Sequence, residues 1–593
     1  MLTGKYINKY YVKYAIPFII GILALVAVDY FQLLIPEYIR DIVNSIGETQ
    51  IDIPNMVIEL VVIGVVMCVG RIMWRLALLT TSKKIESGIR KQMFEKSERL
   101  SQKFYHENKV GAVMAWYTND LETIEEYFGW GSIMLVDAFF MSILVIVKMV
   151  GLNWALSLVT AIPVVSIVIW GGLVEKYMSM KWDNRQKAFD DLYDFTQENF
   201  TGIRVIKAFV KENQEIKAFS KIARKNKDVN IDFVKTSVLF DVLIEVLCGV
   251  VFAVLLAIGG YFVYGYTTGN PMVIFGYDIK LDPGSLVEFV LYFESLIWPL
   301  IAMGQIISMR SRSKASLKRI TNFLDQEEDV KNPENAHVLE DVKGKITFKD
   351  FSFIYPDANE NSLEGVSFEI KPGEIVGIVG KIGSGKTTLV NSLLRLYNVR
   401  KDTLFIDDHD IMDCDIKSVR NAIGYVPQDN FLFSDKVRNN IAFSNLALEY
   451  EKIEMAAKFA AVHDNIVEFT EGYDTISGER GVTLSGGQKQ RVSIARAYAK
   501  EAPIMILDDS VSAVDVKTEE TILQNIKEKR SGMTTLVIAS RVSTVMHMDK
   551  ILVLSDGTVE AFGTHQELLQ TSPIYQRMVF LQELEKEVEG GAC

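Results

Sequence analysis

Residues 373–388 read GEIVGIVGKIGSGKTT. The run begins as an apolar strand, turns through closely spaced glycines and continues into a helix that we expect to reach Leu396. In this arrangement the N–H groups of the turn and the helix N-terminus bind phosphate groups. Lys386 adds a positive charge for the outer phosphates, and the Thr387 hydroxyl is suited to ligate Mg²⁺. The stretch therefore predicts an α/β domain that binds a nucleotide. The residues expected to contact the phosphates are Gly380, Lys381, Ile382, Gly383, Ser384, Gly385, Lys386, Thr387 and Thr388.

A second apolar strand, residues 504–507, ends in the acid pair Asp508-Asp509. A carboxylate at a strand end beside a phosphate loop holds Mg²⁺ directly or through water. We assign that role to Asp508. The alternative is a pair of surface acids in a loop, and the four apolar residues that precede the pair argue against it.

The chain has 593 residues, too many for one domain of ~150 residues. Its first half is apolar, and its second half has an ordinary soluble composition. Six segments are long enough to span a bilayer, which takes ~20 apolar residues each. A buried core helix would explain one such run, but it is a poor explanation of six in succession. The six predicted spans lie near 14–38, 56–80, 130–150, 153–174, 240–267 and 285–308.

Lysine and arginine residues set the orientation of the spans. They are concentrated before the first span and after the second and fourth, so both termini are expected to be cytoplasmic. Residues 1–13 are predicted to form a helix on the membrane surface. The connections 81–129 and 175–239 contain few Pro or Gly, and we expect the spanning helices to extend through them into the cytosol. The outer connection 268–284 is predicted to contain a small hairpin.

Several ionisable residues fall inside the apolar segments, where charges usually face a bundle interior or a cavity. They favour a substrate path for cationic or amphipathic compounds. The alternative is that Arg71 pairs with an acid, or that some of the residues lie near the membrane interface. The residues are Asp29, Arg71, Asp137, Glu245, Glu288 and Glu294.

Charge and cysteine content exclude other classes of function. The formal net charge of −12 argues against nucleic acid as a partner, since phosphate contacts need clustered Lys and Arg. The four cysteines, at positions 68, 248, 414 and 593, form neither a disulfide framework nor a metal-ligand cluster.

Residues 484–488 read LSGGQ, the signature sequence of ATP-binding-cassette (ABC) proteins. With six membrane helices followed by one nucleotide domain, the chain resembles ABC exporter half-transporters over essentially its whole length. The resemblance implies a six-helix transmembrane domain at 1–315, a linker at 316–342 and an α/β nucleotide-binding domain at 343–587. Residues 588–593 are expected to be a disordered tail.

The resemblance also implies roles for single residues. Tyr355 matches the aromatic side chain that stacks on adenine, and Gln428 matches the residue that senses the γ-phosphate and Mg²⁺. Segments 477–481, 512–515 and 198–209 resemble, in turn, a contact to the cytoplasmic loops, the loop between two ATP sites, and the second cytoplasmic loop, which a short coupling helix should follow. In this family two nucleotide domains dimerise head to tail. Ser485, Gly486, Gly487 and Gln488 would therefore face ATP held by a partner chain.

Two positions depart from the family pattern. Asp509 stands where the family has a catalytic Glu, and Ser540 stands where it has a His. The Asp509 carboxylate is one methylene shorter and should fall short by roughly 1 Å, a misplacement that can cost ~10²-fold in rate. Ser540 has no imidazole to contact the γ-phosphate. The resemblance implies catalytic positions at Asp509, Ser540 and Gln428, and Mg²⁺ ligation by Thr387, Gln428 and Asp508.

An intact signature beside a weakened catalytic pair is typical of heterodimeric multidrug exporters of bacteria. We therefore expect a second, different half-transporter as partner, in a bacterial inner membrane, with an amphipathic or cationic small molecule as substrate. Slow turnover in a homodimer is the alternative for the site. For the transport function, the alternatives are export of lipid or peptide, import of a metal chelate, and an ATP-gated channel or regulatory subunit.

Overall fold

The computed structural model describes residues 3–46, 53–274, 277–478, 481, 483–511 and 514–590. Contacts divide the chain into two compact units. One comprises Met1–Lys96 and Gly111–Asp325, and the other comprises Ser97–Val110 and Gln326–Cys593. The first is helical, and the second is an α/β domain to which the short segment Ser97–Val110 also belongs.

Long helices build the first unit and place an apolar stretch in each predicted span. Short helices at its N-terminus and at residues 110–126 complete it, together with two π-helical turns, Trp116–Asp120 and Tyr127–Gly131. The short helix at residues 102–107, α5, belongs to the second unit. The helices are α1 (Asn8–Lys13), α2 (Ala15–Gln32), α3 (Leu34–Asn44), α4 (Ile53–Arg99), α5 (Gln102–Glu107), α6 (Val110–Ala115), α7 (Leu121–Glu126), α8 (Ser132–Leu152), α9 (Trp154–Thr201), α10 (Ile203–Ala208), α11 (Glu212–Thr267) and α12 (Pro283–Leu324).

The helical extensions predicted for 175–239 are present, because α9 and α11 are 48 and 56 residues long. In the connection 81–129, α4 extends as far as Arg99, and short helices and the two π-helical turns follow it. Within the described part of the chain, five helical stretches are long and apolar enough to cross a membrane: Ala15–Asn44, Pro54–Arg99, Val110–Leu152, Glu212–Thr267 and Pro283–Leu324. The predicted fourth span lies in α9, whose side chains are described only in part. The chain is therefore a multi-pass membrane protein.

The structure differs from the predicted boundaries in three places. The first span is interrupted at Leu33, between α2 and α3. Helix α12 continues to Leu324, so the predicted linker at 316–342 begins in a helix rather than a loop. The last helix ends at Gly590, so the start of the predicted tail at 588–593 is helical. In the outer connection, β1 (Val273–Ile274) pairs antiparallel with β2 (Tyr277–Asp278), while residues 275 and 276 lie outside the described part.

Two sheets form the centre of the second unit. One has six strands in the order β12-β11-β5-β10-β9-β8, and all but the edge strand β12 are parallel. The other is antiparallel, in the order β4-β3-β6-β7. The strands are β3 (Ile346–Phe353), β4 (Leu363–Ile370), β5 (Ile375–Gly380), β6 (Leu404–Ile406), β7 (His409–Asp410), β8 (Ile423–Val426), β9 (Ile504–Asp508), β10 (Thr534–Ile538), β11 (Lys550–Ser555) and β12 (Thr558–Gly563).

Helices cover the parallel sheet, which explains why β9 and β10 are buried at every residue and read as continuous apolar runs rather than as an alternation. The helices are α13 (Lys386–Leu393), α14 (Ile416–Asn421), α15 (Val437–Ile441), α16 (Tyr450–Phe459), α17 (His463–Val467), α18 (Gly486–Ala499), α19 (Val516–Lys529), α20 (Val542–Val545), α21 (His565–Thr571) and α22 (Pro573–Gly590).

Candidate nucleotide site

Four neighbouring parallel strands bring the predicted site residues to one edge of the sheet. The phosphate loop follows β5, Asp508 ends β9 and Asp509 comes next, Ser540 follows β10 by two residues, and Gln428 follows β8 by two. Because carboxyl ends of parallel strands meet at the same edge, residues separated by up to 160 positions in sequence converge there.

The phosphate loop has the backbone shape that phosphate binding requires. Gly385 precedes α13 with φ of +93°, a conformation that side chains rarely adopt. A Cβ at this position would lie 2.8 Å from the carbonyl oxygen of Ser362, so both strain and space demand glycine. The N-terminus of α13, with its free N–H groups, therefore opens onto the loop.

Lys386 turns back over its own loop. Its ammonium donates to the carbonyl oxygens of Gly380 at 2.8 Å and Lys381 at 2.9 Å. Burial lowers the pKa of Lys386, and the carboxylates of Asp508 and Asp509 oppose that shift. The ammonium group is therefore held at the loop, where it can donate to phosphate oxygens in place of the two carbonyl oxygens.

Asp508 is suited to a cation. The residue is only 1% exposed, and its Oδ2 atom has no hydrogen-bond partner among the described residues. The carboxyl also forms a hydrogen bond with Thr387, while burial raises its pKa. A buried carboxylate oxygen without a partner, beside a hydroxyl, matches the oxygen ligands that Mg²⁺ prefers.

Asp509 lies between the other two predicted catalytic positions. Its Oδ2 atom is 3.5 Å from Gln428 Nε2, and its Oδ1 atom is 3.5 Å from the Ser540 hydroxyl. Its main chain is fixed, since the N–H donates to Ile538 O at 3.0 Å. The three side chains thus form one cluster, although both contacts to the carboxylate are at the outer limit of hydrogen-bond distance.

Tyr355 follows β3 and packs edge-on against Phe353 and Tyr397, with ring centroids 5.0 and 5.4 Å away. Its hydroxyl donates to the Thr388 hydroxyl at 3.1 Å. Thr388 belongs to α13, so the ring is positioned beside the helix that begins at the phosphate loop.

The signature residues form the start of α18. Ser485 caps the helix, because its hydroxyl accepts from Gln488 N at 3.3 Å and the Gln488 side chain accepts from Ser485 N at 2.9 Å. Ser485 and Gly486 are exposed, and the space around a Cβ added to Gly486 is open for 4 Å. The exposed helix start can therefore receive a group from outside the chain.

Sequence reasoning missed two glutamines that support this cluster. Gln490 is 3% exposed and donates from Nε2 to the Asp509 carbonyl at 3.3 Å, which links α18 to the site. Gln582 of α22 accepts from Val542 N at 2.8 Å and donates to the Ser540 carbonyl at 3.4 Å. Gln490 follows the signature by two residues, a signal that was available, whereas nothing marked Gln582 in a charged terminal helix.

Some predicted segments fall partly outside the described residues. Within 477–481 this applies to residues 479 and 480, and within 512–515 to residues 512 and 513. The second cytoplasmic loop is described. The short helix α10 lies within residues 198–209, whereas a coupling helix was expected after them, and the next helix is the 56-residue α11.

Comparison with known proteins agrees with the fold. The profile of the ABC transporter family matches residues 363–512, and that of the ABC transporter transmembrane region matches residues 18–300. The probable multidrug resistance ABC transporter ATP-binding/permease protein YheI of Bacillus subtilis is 32% identical over 99% of this chain and 98% of its own length. The multidrug resistance-like ATP-binding protein MdlA of Escherichia coli is 34% identical over 95% and 94%.

A solved structure of a bacterial Atm1-family ABC exporter with ATP bound superposes with a TM-score of 0.75. Its sequence is 25% identical, and the match covers 97% of this chain and 98% of that one. The two family matches cover most of the helical unit and, in the second unit, both the phosphate loop and the signature. The chain therefore belongs to the ABC transporter family, as an exporter half-transporter that joins a helical membrane domain to an ATP-binding domain.

Proposed function

We propose that the chain is one half of a heterodimeric exporter that uses ATP to expel amphipathic small molecules across a bacterial inner membrane. Two relatives that match almost its whole length carry multidrug resistance in their names. The main support for a heterodimer is a contrast within the chain. The catalytic pair Asp509–Ser540 has short side chains, whereas the signature helix is intact, exposed and capped.

The site of this chain is expected to bind ATP and to hydrolyse it slowly. A catalytic carboxylate must reach the attacking water, and an Asp at this position ends one methylene earlier than a Glu. Ser540 contributes a hydroxyl where an imidazole would span the distance to the γ-phosphate. Because a displacement of ~1 Å can cost ~10²-fold in rate, both differences act on hydrolysis and leave binding intact.

ATP binding at this site uses the groups that converge at the strand ends. Lys386 and the N–H groups of the loop hold the phosphates, and Tyr355 offers its ring to the adenine. Asp508, Thr387 and Gln428 would hold Mg²⁺, which when bound neutralises charge on the phosphate oxygens. Gln428 also contacts Asp509, so it connects the metal position to the carboxylate.

The signature is expected to act on the partner's ATP. Ser485, Gly486 and Gln488 stand at the N-terminus of a 14-residue helix, where N–H groups and the helix dipole attract a phosphate. A partner with a Glu and a His at the catalytic positions would supply the faster site. ATP at the slow site would then act as a clamp between the two nucleotide domains.

Closure of the nucleotide domains would be transmitted through the cytoplasmic ends of the long helices. The last three residues of α4 are part of the segment Ser97–Val110, which belongs to the compact nucleotide-binding unit. Within that unit His106 Nε2 lies 2.9 Å from Asp357 Oδ2. Movement of the nucleotide domain would therefore reach α4 through a covalently continuous chain, with both termini and the nucleotide domain in the cytoplasm.

The test is the ATPase rate of the purified chain, alone and with a co-expressed neighbouring half-transporter. We expect turnover only in the mixture, abolished by removing the partner's catalytic Glu and merely reduced by Asp509→Ala. Robust turnover by the chain alone, lost in Asp509→Ala, would establish a homodimer. Uptake of dye into inverted vesicles tests the direction of transport, and uptake into right-side-out vesicles alone would refute export.

A further inference from the structure

A cavity of about 510 Å³ lies among α2, α4, α8 and α12 of the helical unit. The residues that give it chemical character lie within the predicted membrane spans, where charged groups are costly unless they face a cavity or a partner. They are Asp29, Arg71, Trp74, Asp137, Glu294 and Trp298.

Two buried polar atoms in the wall of this cavity lack partners. Asp29 is 3% exposed, and its Oδ2 atom accepts no hydrogen bond within the described part of the chain. Trp74 is 7% exposed, and its Nε1 atom donates none there. An unsatisfied buried group costs ~1–3 kcal/mol, and each such group in a native structure calls for an explanation. Because one cavity contains a free acceptor and a free donor, it suits a ligand that has both a hydrogen-bond donor and a hydrogen-bond acceptor.

Two other acids at membrane depth, Glu288 and Glu245, differ from Asp29 in their surroundings. Glu288 is 2% exposed, yet its Oε2 atom pairs with Arg40 Nη1 at 3.0 Å, so it is satisfied within the fold. Glu245 is exposed on α11 and does not line the cavity. An ion pair with a basic residue thus explains why Glu288 is buried. It does not explain Asp29, whose Oδ2 atom accepts no hydrogen bond from the described residues.

The charges of the cavity favour a positively charged ligand. The carboxyl groups of Asp29, Asp137 and Glu294 line the cavity together with one guanidinium, that of Arg71. The acids therefore outnumber the base. Trp298 Nε1 donates to Asp137 Oδ2 at 2.9 Å, which orients that indole beside the Asp137 carboxyl group.

We propose that this cavity binds an amphipathic cation, with a protonated amine against Asp29 and an apolar ring against Trp298. The site deepens the proposed export function and rests on it, since it names the substrate class. Trp298 is 50% exposed, so its ring is available at the rim to stack on an apolar ring of the ligand. The Trp74 N–H would bond an oxygen of the same ligand.

Dansylcadaverine tests the site, because its primary ammonium and its apolar fluorophore are at opposite ends of one molecule. Its N-acetyl derivative keeps the fluorophore and loses the charge. With the full chain in lipid nanodiscs, we expect blue-shifted emission on binding and at least tenfold weaker binding of the N-acetyl derivative. Equal affinities of the two probes for the unaltered protein would overturn the proposal without any variant.

Two variants locate the binding within the chain. Asp29→Asn should weaken dansylcadaverine binding about tenfold, and Glu245→Gln, which also removes one carboxylate at membrane depth, should leave it unchanged. Binding of a fluorescent ATP analogue confirms that each variant is folded. Unchanged dansylcadaverine affinity in folded Asp29→Asn would refute the site. If Asp29→Asn does not fold, Asp137→Asn takes its place with the same expected loss.

Transport measured in the same preparations separates this site from the proposed function. Selective binding of the ammonium probe without ATP-driven transport of any dye would refute the exporter and leave the site in place. ATP-driven transport of a neutral dye, with no preference between the two dansyl probes, would refute the site and leave the exporter in place.

Discussion

The Ser540 hydroxyl lies 3.5 Å from Asp509 Oδ1, at the outer limit of a hydrogen bond. Glu and His at these two positions have longer side chains, which would bring a carboxylate and an imidazole closer to a phosphate held by the loop. The contact is therefore a specific place at which the hydrolysis rate can be changed by two substitutions. Neither side chain is part of the buried core, so the substitutions need no repacking.

Introducing the longer Glu and His side chains at positions 509 and 540 should accelerate hydrolysis at this site. We expect Asp509→Glu combined with Ser540→His to raise the ATPase rate ~10²-fold, because a correction of ~1 Å has an effect of that size. Asp509→Glu alone should give a smaller gain, since Ser540 still lacks an imidazole. The rate is measured on the purified chain at saturating ATP, with and without a partner half-transporter.

The matching control keeps the double variant and adds Lys386→Ala, which should return the rate to background by removing phosphate binding. A double variant no faster than the unaltered chain, with normal ATP binding, would show that Asp509 and Ser540 do not limit hydrolysis.

Asp508 should destabilise the nucleotide domain when no cation is bound. Burial raises its pKa above the ordinary value for Asp. A group whose pKa is higher in the folded state contributes stability below its unfolded pKa, and that contribution is lost as pH rises through the folded pKa. At neutral pH the carboxylate is thus a cost to the fold, which Asp508→Asn should relieve.

We expect Asp508→Asn to raise the nucleotide-free melting temperature by about 2–4 °C for each ~1 kcal/mol relieved. The gain should shrink as the pH is lowered, because the native carboxyl then becomes neutral as well. Mg·ATP should stabilise the unaltered chain and stabilise Asp508→Asn much less. Thermal melts at several pH values, with and without Mg·ATP, check both effects. A lower melting temperature in Asp508→Asn at neutral pH would contradict this interpretation.

Tyr355 should contribute to ATP affinity through its ring rather than its hydroxyl. Stacking of a base on an aromatic ring is worth ~1–3 kcal/mol, so Tyr355→Ala should weaken ATP binding by roughly five- to 150-fold. Tyr355→Phe removes only the hydroxyl, with its hydrogen bonds to Thr388 and Asn391, and should retain most of the affinity. Titration with a fluorescent ATP analogue separates the two variants. Equal losses in both variants would assign the effect to the hydroxyl contacts.

Much of the fold could be predicted from local sequence patterns. The phosphate loop, the strand that ends in Asp508 and the long polar extensions of the membrane helices each depend on contiguous residues, and each is present. The convergence of Gln428, Asp509 and Ser540 follows from strand order, which the resemblance to ABC exporters implied.

The features that were missed depend on distant contacts or on single backbone breaks. The end of α2 before Leu33 is marked by Pro36, which has no N–H and whose ring clashes with the carbonyl group four residues earlier, that of Gln32, but the predicted span ran through it. Gln582 contacts the carbonyl oxygen of Ser540 although the two residues are 42 positions apart in the sequence. Asp29 and Asp137 were recognised as acids at membrane depth, but only helix packing reveals that they share one cavity. Such pairings need the tertiary structure, since no local pattern encodes them.

The signature helix allows a test that separates folding from partnership. Ser485→Ala removes a capping box, and such a loss costs ~1 kcal/mol of stability. Gly486→Ala adds a methyl group into open space at the first turn of α18, where Ala is favoured over Gly by up to ~1 kcal/mol. Within the chain itself, therefore, only Ser485→Ala should lower the melting temperature.

In a complex with the partner the order of effects should change. Gly486 is exposed at the helix N-terminus that faces the partner's ATP in the proposed heterodimer, so the added methyl group occupies space that the γ-phosphate needs. We expect Gly486→Ala to lower the ATPase rate of the complex at least tenfold, while ATP affinity and melting temperature of the isolated chain stay at or above their original values. A complex that keeps its full rate with Gly486→Ala would show that α18 completes no ATP site, because this variant leaves the fold of its own chain undisturbed.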